Sequence, residues 1–78
     1  MSNYTKELDN GTTVIYGFNV REGYFLKVYT PFDNSKLEIM NMSTKLTSVS
    51  NEMLIELMTL YNLPESQIEQ VALNNPIT

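Results

Sequence analysis

The chain has 78 residues, a net charge of −4, and neither cysteine nor histidine. A chain this short makes one domain and buries only about 60% of its unfolded surface, so its stability margin is narrow. The missing residues exclude disulfides, a structural zinc site, a thiolate nucleophile and the usual side-chain base with a pKa near neutral.

Asp9-Asn10-Gly11 is the first strong signal. Asn-Gly tolerates positive φ at both central positions of a two-residue hairpin turn. It is expected to join a short strand, Tyr4 to Leu8, to a longer one, Thr12 to Val20. In the longer strand Val14, Tyr16, Phe18 and Val20 alternate with Ile15, Gly17 and Asn19, the period of a half-buried strand. Arg21-Glu22-Gly23 predicts a second turn, with Gly23 suited to a left-handed residue. Tyr24 to Thr30 runs back, Pro31 to Ser35 reads as a loop, and Lys36 to Met42 predicts a fourth strand. In that strand Leu37 and Ile39 are expected on one face, Glu38 and Met40 on the other.

The period then changes. Ser50 is a good N-cap, and Glu52 sits where a negative charge meets the helix dipole. Met53, Leu54, Leu57, Met58 and Tyr61 follow at helical spacing, with Glu52, Glu56 and Thr59 opposite. Asn62-Leu63-Pro64 ends this helix, because proline disfavours helix in the residue before it. Pro64 also suits the first position of a second helix, to about Leu73, with Ile68, Val71 and Ala72 as its apolar residues. "NNPIT" reads as a short tail. The expected fold class is α+β: one domain over residues 1–78, with an antiparallel β-meander of three to four strands (1–42) followed by a C-terminal helical hairpin (50–73) packed on one face.

Charge divides the chain unevenly. Residues 1–45 hold every cation (Lys6, Arg21, Lys27, Lys36, Lys45) and a matching set of acids (Glu7, Asp9, Glu22, Asp33, Glu38). Residues 46–78 carry Glu52, Glu56, Glu65 and Glu69 and no cation.

Glu22-Gly23-Tyr24-Phe25-Leu26-Lys27-Val28-Tyr29 invites comparison with the RNA-recognition octamer K/R-G-F/Y-G/A-F-V-x-F/Y. Gly23, Tyr24 and Tyr29 match. Glu22 reverses the first charge, and Leu26 replaces a base-stacking ring. The β-α-β-β-α-β order of that fold is also absent, and no basic patch supplies phosphate affinity. A DNA-reading helix-turn-helix is disfavoured too, because the second helix would bring Glu65 and Glu69 to the phosphates. Nucleic-acid binding therefore ranks as a weak third reading.

Catalysis is not expected. The i,i+4 pairs Glu52/Glu56 and Glu65/Glu69 are too few for a tight cation site, the three glycines stand apart, and no cofactor or metal is called for. The first ten residues lack the apolar run of a signal peptide, the three Asn-X-Ser/Thr sequons read as chance matches, and no window is long and apolar enough to span a bilayer. A cytoplasmic protein without membrane contact is expected.

Function is then expected at surfaces. If Val14, Tyr16, Phe18, Tyr24, Leu26 and Val28 face the helices, Ile15, Phe25, Lys27 and Tyr29 share the other sheet face, which stays open unless the sheet curls and Pro31-Phe32 or the first strand folds over it. An open aromatic cluster marks an interface. Glu65 and Glu69 form a second candidate, facing a basic groove such as the nucleic-acid channel of an enzyme or effector complex. The leading expectation is a non-catalytic protein-binding module. In size, charge and lack of catalytic residues the chain resembles the small acidic proteins with which phages and mobile elements block host machinery, anti-CRISPR proteins among them. That resemblance carries no matching motif; it implies an inhibitor of a nucleic-acid-handling complex and assigns no residue. The alternative is a homo-oligomeric structural or accessory protein, a homodimer for instance, using the second sheet face as its self-interface.

Overall fold

The computed structural model describes residues 2–77; Met1 and Thr78 lie outside them. Strands β1 (Ser2–Glu7), β2 (Thr13–Asn19), β3 (Gly23–Phe32) and β4 (Ser35–Ser43) form one antiparallel sheet in the order β1-β2-β3-β4. Helices α1 (Asn51–Leu60) and α2 (Glu65–Ala72) follow and cover one face. This is the α+β meander with a C-terminal helical pair that the periodicities predict.

The turns differ from expectation in ways that set the register. Leu8 N–H donates to Thr12 O at 2.8 Å and Gly11 N–H donates to Leu8 O at 3.0 Å. The first loop is therefore Asp9, Asn10 and Gly11, three residues instead of two, with only Gly11 among them at positive φ (87°). A single left-handed glycine closes this type of hairpin. Asn10 contributes its side chain instead, accepting from Thr12 N–H at 3.0 Å.

At the second turn Asn19 brackets Glu22, accepting from its N–H at 2.7 Å and donating from Nδ2 to its carboxylate at 2.8 Å. β2 ends at Asn19, so Val20 lies in the turn and is 80% exposed, not on the core face. Gly23 takes φ 72°, and a side chain there would run into Thr44 Oγ1. That oxygen accepts the Tyr24 N–H at 3.1 Å.

The third connection is shorter than expected. β3 continues through Pro31 and Phe32, leaving only Asp33 (φ 55°) and Asn34 as a two-residue turn. Pro31 is tolerated because β2 pairs with β3 only as far as Tyr29. Beyond that point β3 is itself an edge, where the missing N–H costs little. The β3–β4 ladder slips between Val28, opposite Met40, and Tyr29, opposite Glu38, which leaves Ile39 as the extra residue of a bulge. The strict alternation expected through β4 breaks there, and Met40 and Met42 turn towards the core.

Ser50 caps α1, its hydroxyl accepting from Met53 N–H at 3.1 Å. Leu54 and Met58 are the buried residues of α1, while Met53, expected in the apolar stripe, is 45% exposed. Both helices end in the same way. Asn62 (φ 56°) and Asn74 (φ 60°) are left-handed, and the following N–H groups, of Leu63 and Asn75, donate back to Met58 O and Gln70 O at 2.9 and 2.8 Å. This closure satisfies carbonyls that a helix end otherwise leaves bare. α1 is thus stopped by Asn62 before Pro64 acts, and Pro64 caps α2 from outside its first turn. In α2 Val71 is buried and Ile68 half-buried, whereas Ala72 is exposed.

The core joins Val14, Tyr16, Tyr24, Leu26 and Val28 of the sheet to Leu54, Met58, Leu63, Val71 and Ile77. Each fully buried aliphatic side chain contributes roughly 1.5–3 kcal/mol of hydrophobic stabilisation. Within the short C-terminal tail Ile77 joins the core, a contribution the sequence pattern does not assign to it: it is 3% exposed. Two tyrosines bolt the layers together. Tyr16 OH donates to Gln67 Oε1 and Tyr24 OH to Asn75 O, each at 2.5 Å. Burial raises both phenol pKa values above 10; for Tyr16 the nearby Tyr4 adds to the rise and the Gln67 hydrogen bond opposes it.

Candidate functional site

The register fixes the outer sheet face. Cross-strand rows place Thr5, Ile15, Lys27 and Asn41 together, then Glu7, Thr13, Tyr29 and Glu38, then Asn3, Gly17, Phe25 and Ser43. Ile15, Phe25, Lys27 and Tyr29 therefore do share this face. The open aromatic cluster expected there is not what forms. β1 and β4 contribute mostly polar side chains to it, so its apolar residues are confined to the two central strands.

Phe25 itself is 5% exposed. Its neighbours across both ladders, Gly17 and Ser43, are small and leave a slot for the ring. Lys27 Nζ then lies 5.5 Å from the ring centroid, held there by Glu22 at 3.5 Å. A cation over an aromatic face is attractive, and the lysine stem adds cover. A face that nothing later in the chain could cover is covered at this point by its own strand neighbour. Tyr29 is half-buried and donates its hydroxyl to Glu38 at 3.1 Å. Its pKa is raised by burial first, then by the hydrogen bond and charge of Glu38. Beside it Lys36 bonds Thr13 Oγ1 and pairs with Glu7 at 3.4 Å.

Glu65 and Glu69 lie elsewhere. They are exposed on α2 and line a cleft of about 370 Å³ with Thr59, Asn62, Leu63 and Ile68. Lys6 reaches this end of the helical pair from β1, donating to Asn62 O at 2.6 Å. The structure brings the outer-face residues together and the two glutamates together, but does not join the two groups into one site. Among the described residues no three acidic side chains converge where they could hold a metal ion, and no helix is long and apolar enough to cross a membrane.

Sequence reasoning missed a third surface, the distal half of the β3–β4 hairpin. Residues 31–39 are all exposed, among them Phe32 (58%), Leu37 (50%) and Ile39 (55%). The available signal was Asp33-Asn34, a turn pair flanked by residues that alternate well enough to extend both strands. β4 is also an outer strand of the sheet. At its far end Ser43 O accepts the N–H groups of Thr47 and Val49, so the chain folds back over that end of the edge. Among the described residues no backbone group outside β3 pairs with 35–42.

No family model matches the chain, and no curated protein or solved structure matches it significantly.

Proposed function

We propose that the chain is a non-catalytic protein-binding module whose principal contact surface is the projecting end of the β3–β4 hairpin. The observation that supports this reading is the grouping of Phe32, Leu37 and Ile39, all more than half-exposed or at half, on one open-edged hairpin. Large apolar side chains gathered on a protruding element add contact area to a partner and cost solubility without one. Exposed backbone groups along β4 add a means of attachment through strand addition. Affinity capture with wild type and with Leu37→Lys tests it. A stoichiometric partner, foreign or a second copy, should bind wild type and be lost from the variant, while Val20→Ser leaves it bound. Equal recovery by both hairpin forms rejects the reading.

A narrower reading adds the acidic helical pair, and Glu65 and Glu69 lining one cleft favour it. In it the partner is a nucleic-acid-handling complex with a basic groove, and the protein acts as its inhibitor. Glu65→Gln with Glu69→Gln should then slow association and flatten its salt dependence. Unchanged on-rates at low salt would remove this second contact and leave the hairpin reading standing.

A further inference from the structure

The edge of β4 carries information about which partner it accepts. Lys36, Leu37 and Glu38 follow the turn in that order, and each belongs to the stretch of β4 that has no outer backbone partner among the described residues. We propose that this edge pairs antiparallel with the same edge of a second copy, centred on Leu37, to join two four-stranded sheets into one.

Such a pair is two-fold symmetric. In an antiparallel pair centred on Leu37, residues equidistant from it face each other. Lys36 then lies opposite Glu38 of the second copy, and Glu38 opposite Lys36 of the second copy. Both charge pairs are on the outer sheet face, and Leu37 meets its own copy on the other. An isolated lysine at an edge repels its own image and protects against self-pairing. Here the glutamate two residues on turns that repulsion into attraction, and opposite charges directly across a ladder are favourable. The geometry is isologous, the commonest closed arrangement of identical chains. It also caps the edge, so association stops at two copies along β4. The chain leaves this part of the edge open while folding back over Ser43 at the other end, and half-exposed Leu37 and Ile39 lie within the paired stretch.

This proposal rests on the reading of the hairpin as a contact surface, and it names the occupant. The test is sedimentation velocity over a concentration series with Lys36→Glu, Glu38→Lys, the double exchange Lys36→Glu/Glu38→Lys, and an equimolar mixture of the two single variants. Circular dichroism and the urea midpoint check that each is folded, because the reversals also remove contacts within the chain: Lys36 with Glu7 and Thr13, and Glu38 with the Tyr29 hydroxyl; the exposed Lys36–Glu7 pair among them is worth little. Wild type should dimerise. Each single reversal sets like charges opposite each other twice, and should weaken the dimer about tenfold or more. The double exchange restores the complementarity and the dimer. The mixture should form a one-to-one heterodimer, because one variant then presents two glutamates to two lysines. A wild type that stays monomeric, or a dimer indifferent to both reversals, overturns the self-pairing. The broader hairpin reading is decided separately, by loss or retention of a foreign partner in Leu37→Lys.

Discussion

Strands β3 and β4 run side by side from Gly23 to Ser43 but pass through two environments. Their proximal half carries Tyr24, Leu26 and Val28, each at most 4% exposed, under the helical pair. Beyond the bulge at Ile39 the same ladder continues, yet Phe32 and Leu37 are at least half-exposed. The difference teaches that cross-strand pairing and burial are separate requirements. Backbone hydrogen bonds and a two-residue turn suffice to extend a hairpin, but a core exists only where a second layer reaches. The core that joins the helices to the sheet takes in the proximal half, and among the described residues Phe32, Leu37 and Ile39 of the distal half are not part of it.

That contrast can be broken most forcefully at Leu26. Leu26→Ala removes a fully buried side chain from the centre of the core and should cost about 2–5 kcal/mol, enough to unfold much of so small a domain; urea denaturation measures it. Gly23→Ala should follow, since a residue at φ 72° pays about 1–2 kcal/mol for the left-handed backbone and must also displace Thr44. Its midpoint shift in the same titration should exceed that of an alanine at an exposed strand position.

The proximal half should also respond to alkali. Tyr16 and Tyr24 have phenol pKa values raised by burial, so the native state holds these protons more tightly than the unfolded chain. Their contribution is fully present below about pH 10, the unfolded tyrosine value, and is lost as pH rises through the higher native values. Tyr24→Phe should lose about 0.5–1.5 kcal/mol at neutral pH with its hydrogen bond to Asn75, and should show a shallower decline above pH 10. An identical alkaline slope would mean that Tyr24 is not among the groups responsible. The smallest effect belongs to the distal half: Leu37→Ser should change the stability of the isolated chain by no more than about 0.5 kcal/mol. A larger loss would place Leu37 in a buried contact, such as a dimer.

Much of this was legible in the residues. Period-two alternation across Val14 to Phe18 placed the core face, Ser50 marked the start of α1, and the change of period after residue 50 separated sheet from helices. Local chemistry carried those inferences because hydrophobic spacing and helix capping act within a few residues. Glu65 and Glu69 were legible as neighbours for the same reason, being one helical turn apart.

What the tertiary structure alone decided depends on residues distant in the chain. Phe25 is buried because Gly17 and Ser43 happen to face it and Lys27 is drawn over it by Glu22; no spacing along one strand reveals a slot made by three. Ile77 is buried because Tyr24 holds Asn75 beside the sheet, a contact between residues 51 apart in the chain. The exposed hairpin end follows from where the core stops, and the extent of a core is a property of the assembled fold. Sequence by itself thus determined the order of the elements, the core face of β2 and the start of α1, while packing decided which apolar residues are left exposed.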